Sequence, residues 1–177
     1  MKWKTIVAIA TIGFLAAGCK SKLAKDYNDM IVKEQKKLAQ AMDQEAPKLK
    51  THFANYEYDS IVSVGNRMEA KISAIINEVN KKAVPNVSQA ANFKKAALQY
   101  FNYMKDVYTA YKNYGMQTTP DGREIHMQVV TKMTNGEDRV IADMQKAQQI
   151  FAKNNGFKIK PAKQKDSGSF TAQSPSP

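Results

Sequence analysis

Four stretches of the sequence return an apolar residue every three or four positions, and no strand-like alternation competes with them. That period restricts the chain to helices that each bury one face. In the first stretch, residues 23–44, Tyr27, Ile31, Leu38 and Met42 keep helical spacing while Lys33, Glu34, Lys36 and Lys37 cover the rest. Pro47 should interrupt or restart this helix, since proline lacks a backbone donor and clashes with the turn before it. Residues 48–58 are open to three readings: a continuation past a kink, a loop, or the start of the second helix.

The second seam is Ile61, Val64, Met68, Ile72, Ile75 and Val79, with Asp59 or Ser60 placed to cap it unless the helix begins earlier. It should end near Ala83, because Val84 is pushed out of helical geometry by Pro85. Ser88 offers a cap for the third helix, whose seam is Phe93, Ala97, Tyr100, Met104, Val107, Tyr111 and Tyr114. Gly115 is expected to end it in a left-handed conformation. Thr119 or Asp121 can cap a fourth helix over residues 123–155, with Ile125, Val129, Met133, Val140, Met144, Ala147 and Phe151 on one stripe and Gly156 as its stop. Gly136 interrupts that stripe, which fits either close approach of a neighbouring helix or a kink.

Four amphipathic helices on short connections predict an all-α, antiparallel up-down-up-down four-helix bundle. With 43% hydrophobic residues the chain has enough apolar material for one such core. Residues 158–177 turn to lysine, serine, glutamine and proline and are expected to form a flexible tail.

The N-terminus has a separate logic. Lys2 and Lys4 precede an apolar run from Ile6 to Ala17, and Leu15-Ala16-Ala17-Gly18 leads into Cys19, the single cysteine. The run is shorter than the roughly 20 residues of a transmembrane helix. This segment resembles the signal of bacterial lipoprotein precursors. The resemblance implies cleavage between Gly18 and Cys19, removal of residues 1–18, and a lipid on Cys19 that anchors residues 19–157 as a helical domain. It also implies residence at the cell envelope. Lys20 stands where aspartate marks inner-membrane retention in that class, which favours an outer membrane where the cell has one. The Tyr27-Asn28-Asp29 start, with Ile31-Val32 and Gln35 after it, is similar to that of small helical-bundle surface lipoproteins and implies no catalytic residue.

The net charge of +11 predicts affinity for anionic surfaces, such as an envelope polymer or lipid head groups. Export and the lack of a recognisable motif argue against nucleic acid. Lys20, Lys22 and Lys25 could attract an anionic leaflet, at roughly 1 kcal/mol per residue, or form a solvated tether.

Signals for chemistry are sparse. His52 and His126 should fall at the same end of the bundle, near Glu45, Glu57, Asp59, Asp121 and Glu124, where a metal could be held. Their spacing matches no Glu-x-x-His or His-Glu-x-x-His pattern. Haem held by methionine and histidine is the other cofactor a bundle accommodates, but methionines at seam positions are normally core filler. The expectation is therefore no cofactor and no catalysis: an envelope protein that binds or supports a partner, with a metal-dependent enzyme or metal- or haem-binding bundle as the alternative. Helix three carries more aromatics than one stripe can bury, so Phe101, Tyr103 and Tyr108 either widen the core or, where exposed, form a candidate binding face, with Tyr103 expected to be the most exposed.

Overall fold

The computed structural model describes residues 12–159, with side chains from Gly18 onward. Four helices make up the body: α1 (Ile12–Ala54), α2 (Tyr58–Lys81), α3 (Ala90–Gly115) and α4 (Pro120–Asn154). They pack as the expected antiparallel bundle, with the closest backbone approach at α2–α3 and α3–α4, then α1–α2. The contact between α1 and α4 is much looser. Of the regions assigned from sequence alone, residues 1–11 of the signal and 160–177 of the tail lie outside the described residues.

The first helix is longer at both ends than its seam suggested. It starts ahead of residue 23, runs through the expected cleavage junction at Gly18 and Cys19, and continues through Pro47 to Ala54. The sequence cannot decide this, because a proline's penalty can be overridden by packing on either side of it. Here Ala41 and Glu45 before Pro47 and Leu49 after it are all buried, so one helical axis serves both halves.

Several helix ends are built differently from their sequence signals. Glu57, not Asp59 or Ser60, occupies the N-cap position of α2. The α3 cap is Gln89 in a left-handed conformation rather than Ser88, and it makes no side-chain cap bond. Thr119 does cap α4, accepting from the Gly122 amide at 3.1 Å, and Gly156 has the positive φ of a helix stop. Gly115 is needed for a different reason from the one its position suggested. It is the last residue of α3, and a Cβ there would lie 2.8 Å from the Tyr58 carbonyl oxygen. Gly65 on α2 is equally tight, with Lys112 Cβ at 2.6 Å.

The buried face of α4 keeps Met144 and Phe151 of its expected stripe, with Met133 and Ala147 packed against the core, and departs from it at the start of the helix. Ile125 is 61% exposed and Val129 42%, while Val130, Met144 and Phe151 are buried and Glu137 is partly buried. These last four are spaced by sevens, the repeat that keeps one face of a helix against a neighbour. Steps of four alone rotate off that face, and a carboxylate at one of the seven-residue positions conceals the true seam.

Aromatic clusters fill both ends of the core. At the end where the chain enters, Tyr27 meets Phe93 and Phe151 edge-on, and those two phenylalanines stack with centroids 5.1 Å apart. At the opposite end Phe53 packs on Tyr111 and Tyr114, and the Arg123 guanidinium lies 4.2 Å from the Tyr58 ring centroid.

Candidate functional site

Cys19 is exposed, five residues before Ala24, the first residue of the buried core. Nothing lies within 4 Å of where a Cβ on Gly18 would be. The cysteine is thus accessible and outside the packed body. Beside it is an open depression of about 760 Å³, lined by Lys20 and Ser21, by Asn86 to Ser88 of the α2–α3 loop, and by Asn154 to Gly156. Asn155 donates to the Ser88 carbonyl at 2.8 Å and so ties the end of α4 to that loop. No described helix is long and apolar enough to cross a membrane.

The aromatic binding face expected on α3 does not form. Phe101 is fully buried and Tyr108 nearly so, while Tyr103 is partly buried and donates its hydroxyl to the Met133 carbonyl at 2.5 Å. A Cβ on Gly136 would run into that hydroxyl, so this glycine makes room for Tyr103. The physical reason is the place of α3 in the bundle. It packs closely against both α2 and α4, which buries a wider arc than the single stripe assumed for it. Burial pushes the phenols of Tyr100 and Tyr111 up to about 12 and that of Tyr108 higher still.

At the far end His52 Nδ1 lies 2.5 Å from Glu57 Oε2, which closes the α1–α2 turn. That hydrogen bond, with a second from Asn55, holds the Glu57 carboxyl below its usual range. Among the described residues no three histidine, cysteine or acidic side chains converge as a metal would require. Glu45, grouped with this end by sequence, is used elsewhere: it accepts from Arg67 at 2.8 Å, with Lys48 at 3.3 Å and Lys71 at 3.6 Å. The Arg67 hydrogen bond is the largest influence and draws its carboxyl down to about 2.

The α1–α4 seam holds the polar residues that sequence reasoning missed. Gln148 donates to Asn28 at 2.8 Å, and Gln35 places its amide 2.8 Å from the Met144 sulfur. Elsewhere on the inner side of α1, Glu34 is buried with one oxygen lacking a hydrogen-bond partner among the described residues, and so is the Tyr27 hydroxyl. Further along α4, burial, with a smaller contribution from Asp138, raises the Glu137 carboxyl. The seven-residue spacing of Glu137 from Val130 and Met144 is the one signal that could have placed it inside. No known protein family matches the chain, and neither curated proteins nor solved structures give a match.

Proposed function

We propose that this is a lipid-anchored envelope protein, tethered through Cys19, whose helical bundle acts as a non-catalytic binding or structural module. The observation that carries this reading is the lipoprotein-like segment ending at Gly18-Cys19, together with the exposure of that cysteine outside the core. Supporting it, Glu45 and Glu57 are engaged as described, and Glu69 of α2 accepts from Lys112 of α3 at 2.5 Å, so all three carboxylates join helices or close a turn. An outer membrane, where present, is the proposed location, and an envelope protein or anionic polymer the proposed partner.

The test is chemical. Mass spectrometry of the protein from its native membrane should find an N-terminus at Cys19 bearing acyl chains. Cys19→Ser should move it from the detergent phase to the aqueous phase with its melting temperature unchanged, because no core residue is touched. An unmodified thiol, or a mutant that still partitions into detergent, overturns the reading.

A further inference from the structure

The up-down-up-down path brings four chain segments to the end that carries Cys19: the start of α1, the end of α2, the start of α3 and the end of α4. Each brings lysine. Lys20, Lys22 and Lys25 come from α1, and Lys81 and Lys82 from the end of α2. Lys94 and Lys95 follow the start of α3, while Lys153 and Lys158 flank the end of α4. Against these stand Asp26, Asp29 and Glu78, of which Asp29 pairs with Lys25 and Glu78 with Lys81. Lys20, Lys22, Lys82 and Lys153 are exposed and have no carboxylate within salt-bridge distance among the described residues. The opposite end is balanced, with Glu57, Asp59, Asp121 and Glu124 set against Lys48, Lys50, Lys112 and Arg123.

Helix dipoles do not account for this asymmetry. A dipole favours cations at the ends of α2 and α4, but it disfavours them at the start of α3, which has no acidic residue in its first turn. Local structure explains only Lys94, which donates to the Asn80 and Lys82 carbonyls and so closes the end of α2. Apart from Lys94 and the paired Lys25 and Lys81, the lysines leave unneutralised charge at this end, where Lys20 also lines a depression made largely of asparagine, serine and backbone.

We infer that this lysine-rich base is a docking face for an anionic bilayer surface, engaging lipid phosphates and holding the bundle end-on to the membrane. The direction of docking rests on the proposed anchor at Cys19, since the lipid and the lysines emerge from the same end. The charge complementarity stands without it. A basic residue near an anionic leaflet adds about fivefold to partitioning, so the four unpaired lysines acting together add several hundredfold to the marginal, reversible binding that one acyl chain achieves.

The experiment uses the chain from residue 19 carrying Cys19→Ser, which retains every core residue from Ala24 onward; circular dichroism checks its helicity. Its co-sedimentation is measured with vesicles of pure phosphatidylcholine and with vesicles containing phosphatidylglycerol. Binding should require the anionic lipid and weaken steeply with salt. Replacing Lys20, Lys22, Lys82 and Lys153 together by glutamine should lower partitioning by at least about thirtyfold. A charge-matched control replaces Lys33, Lys36, Lys50 and Lys132, exposed lysines on the sides and far end, and should lose less than about threefold. Equal losses in the two variants, or binding indifferent to both, overturn the proposal. So does a protein that ignores the vesicles and binds an anionic polysaccharide through the same four lysines. Because this protein has no lipid, a failure here is distinct from the absence of acyl chains on Cys19.

Discussion

The α2–α3 and α1–α4 seams put similar helices side by side by opposite means. Between α2 and α3, glycines at 65 and 115 let one helix touch the backbone of the other, and Ile61, Val64, Met68 and Ile72 fill the interior without a polar atom. Between α1 and α4 the helices stand further apart, and Gln148 with Asn28 and Gln35 with Met144 bridge the space. The first seam is specified mainly by shape, with Glu69 accepting from Thr109 and Lys112 at its margin. The second is held by side chains that can exchange their partners for water, so it is the part of the bundle expected to open first.

The sharpest way to break this comparison is to enlarge the glycines. Gly65→Val places carbon against Lys112 Cβ and the Tyr108 carbonyl, neither of which can move without its helix, and should cost about 3 kcal/mol or more in chemical denaturation. Gly136→Ala meets only the end of the Tyr103 side chain. It should cost less than about 1.5 kcal/mol, and in a Tyr103→Phe background it should become neutral or stabilising, as replacing a helical glycine normally is. Gly136 faces α3 and serves as the control for a glycine opposed by a side-chain tip; if Gly136→Ala proves as damaging as Gly65→Val, backbone contact is not what makes the α2–α3 seam unforgiving.

Next in size is the ion cluster that fastens α1 to α2. Glu45→Gln should destabilise by about 1.5–3 kcal/mol at neutral pH, the usual loss for a charge-assisted hydrogen bond. The folded-state carboxyl titrates at about 2, below its ordinary value of 4.5. Its stabilisation is therefore complete above the ordinary value and is lost as pH falls through the folded one. Stability curves of wild type and mutant should converge from pH 4.5 toward pH 2. A constant gap would mean that the carboxylate's charge is not what holds it.

The smallest effect has the opposite sign. Glu137 has its carboxyl raised by burial, so ionisation works against the folded state and the protein loses stability as pH rises through the folded value. Glu137→Gln should gain up to about 1 kcal/mol at neutral pH and nothing at pH 3, as read from paired urea titrations. A loss at neutral pH would show that the ionised carboxylate has a favourable partner.

The two seams also differ in how far they could be read from sequence. The α2 seam is unbroken from Ile61 to Val79, and every residue assigned to it is buried. On α4 the expected stripe holds at Met133, Met144, Ala147 and Phe151 but misses at Ile125 and Val129, which are exposed, and a glutamate at a seam position, Glu137, hides its own place and that of Val130. The width of the buried arc on α3 depends on how closely α2 and α4 flank it, a property of neighbours rather than of its own spacing. That is why spacing alone leaves Phe101, Tyr103 and Tyr108 open to both a core and a surface reading, and only Tyr103, the most exposed of the three, follows from it. The segment around Cys19 is read from residue order alone, and what the structure adds there is the exposure of the cysteine outside the packed body.

The long α1 also sets how the body would respond to mechanical load. A tether at Cys19, as proposed, would pull along the axis of a helix whose grip extends from Ala24 to Phe53. Traction in that direction acts in shear: Tyr27, Ile31, Leu38, Glu45 and Leu49 resist together instead of yielding one after another as they would if the helix were peeled sideways. A bundle attached through the end of its longest helix is thus loaded along its most resistant direction, although its seam with α4 is loose.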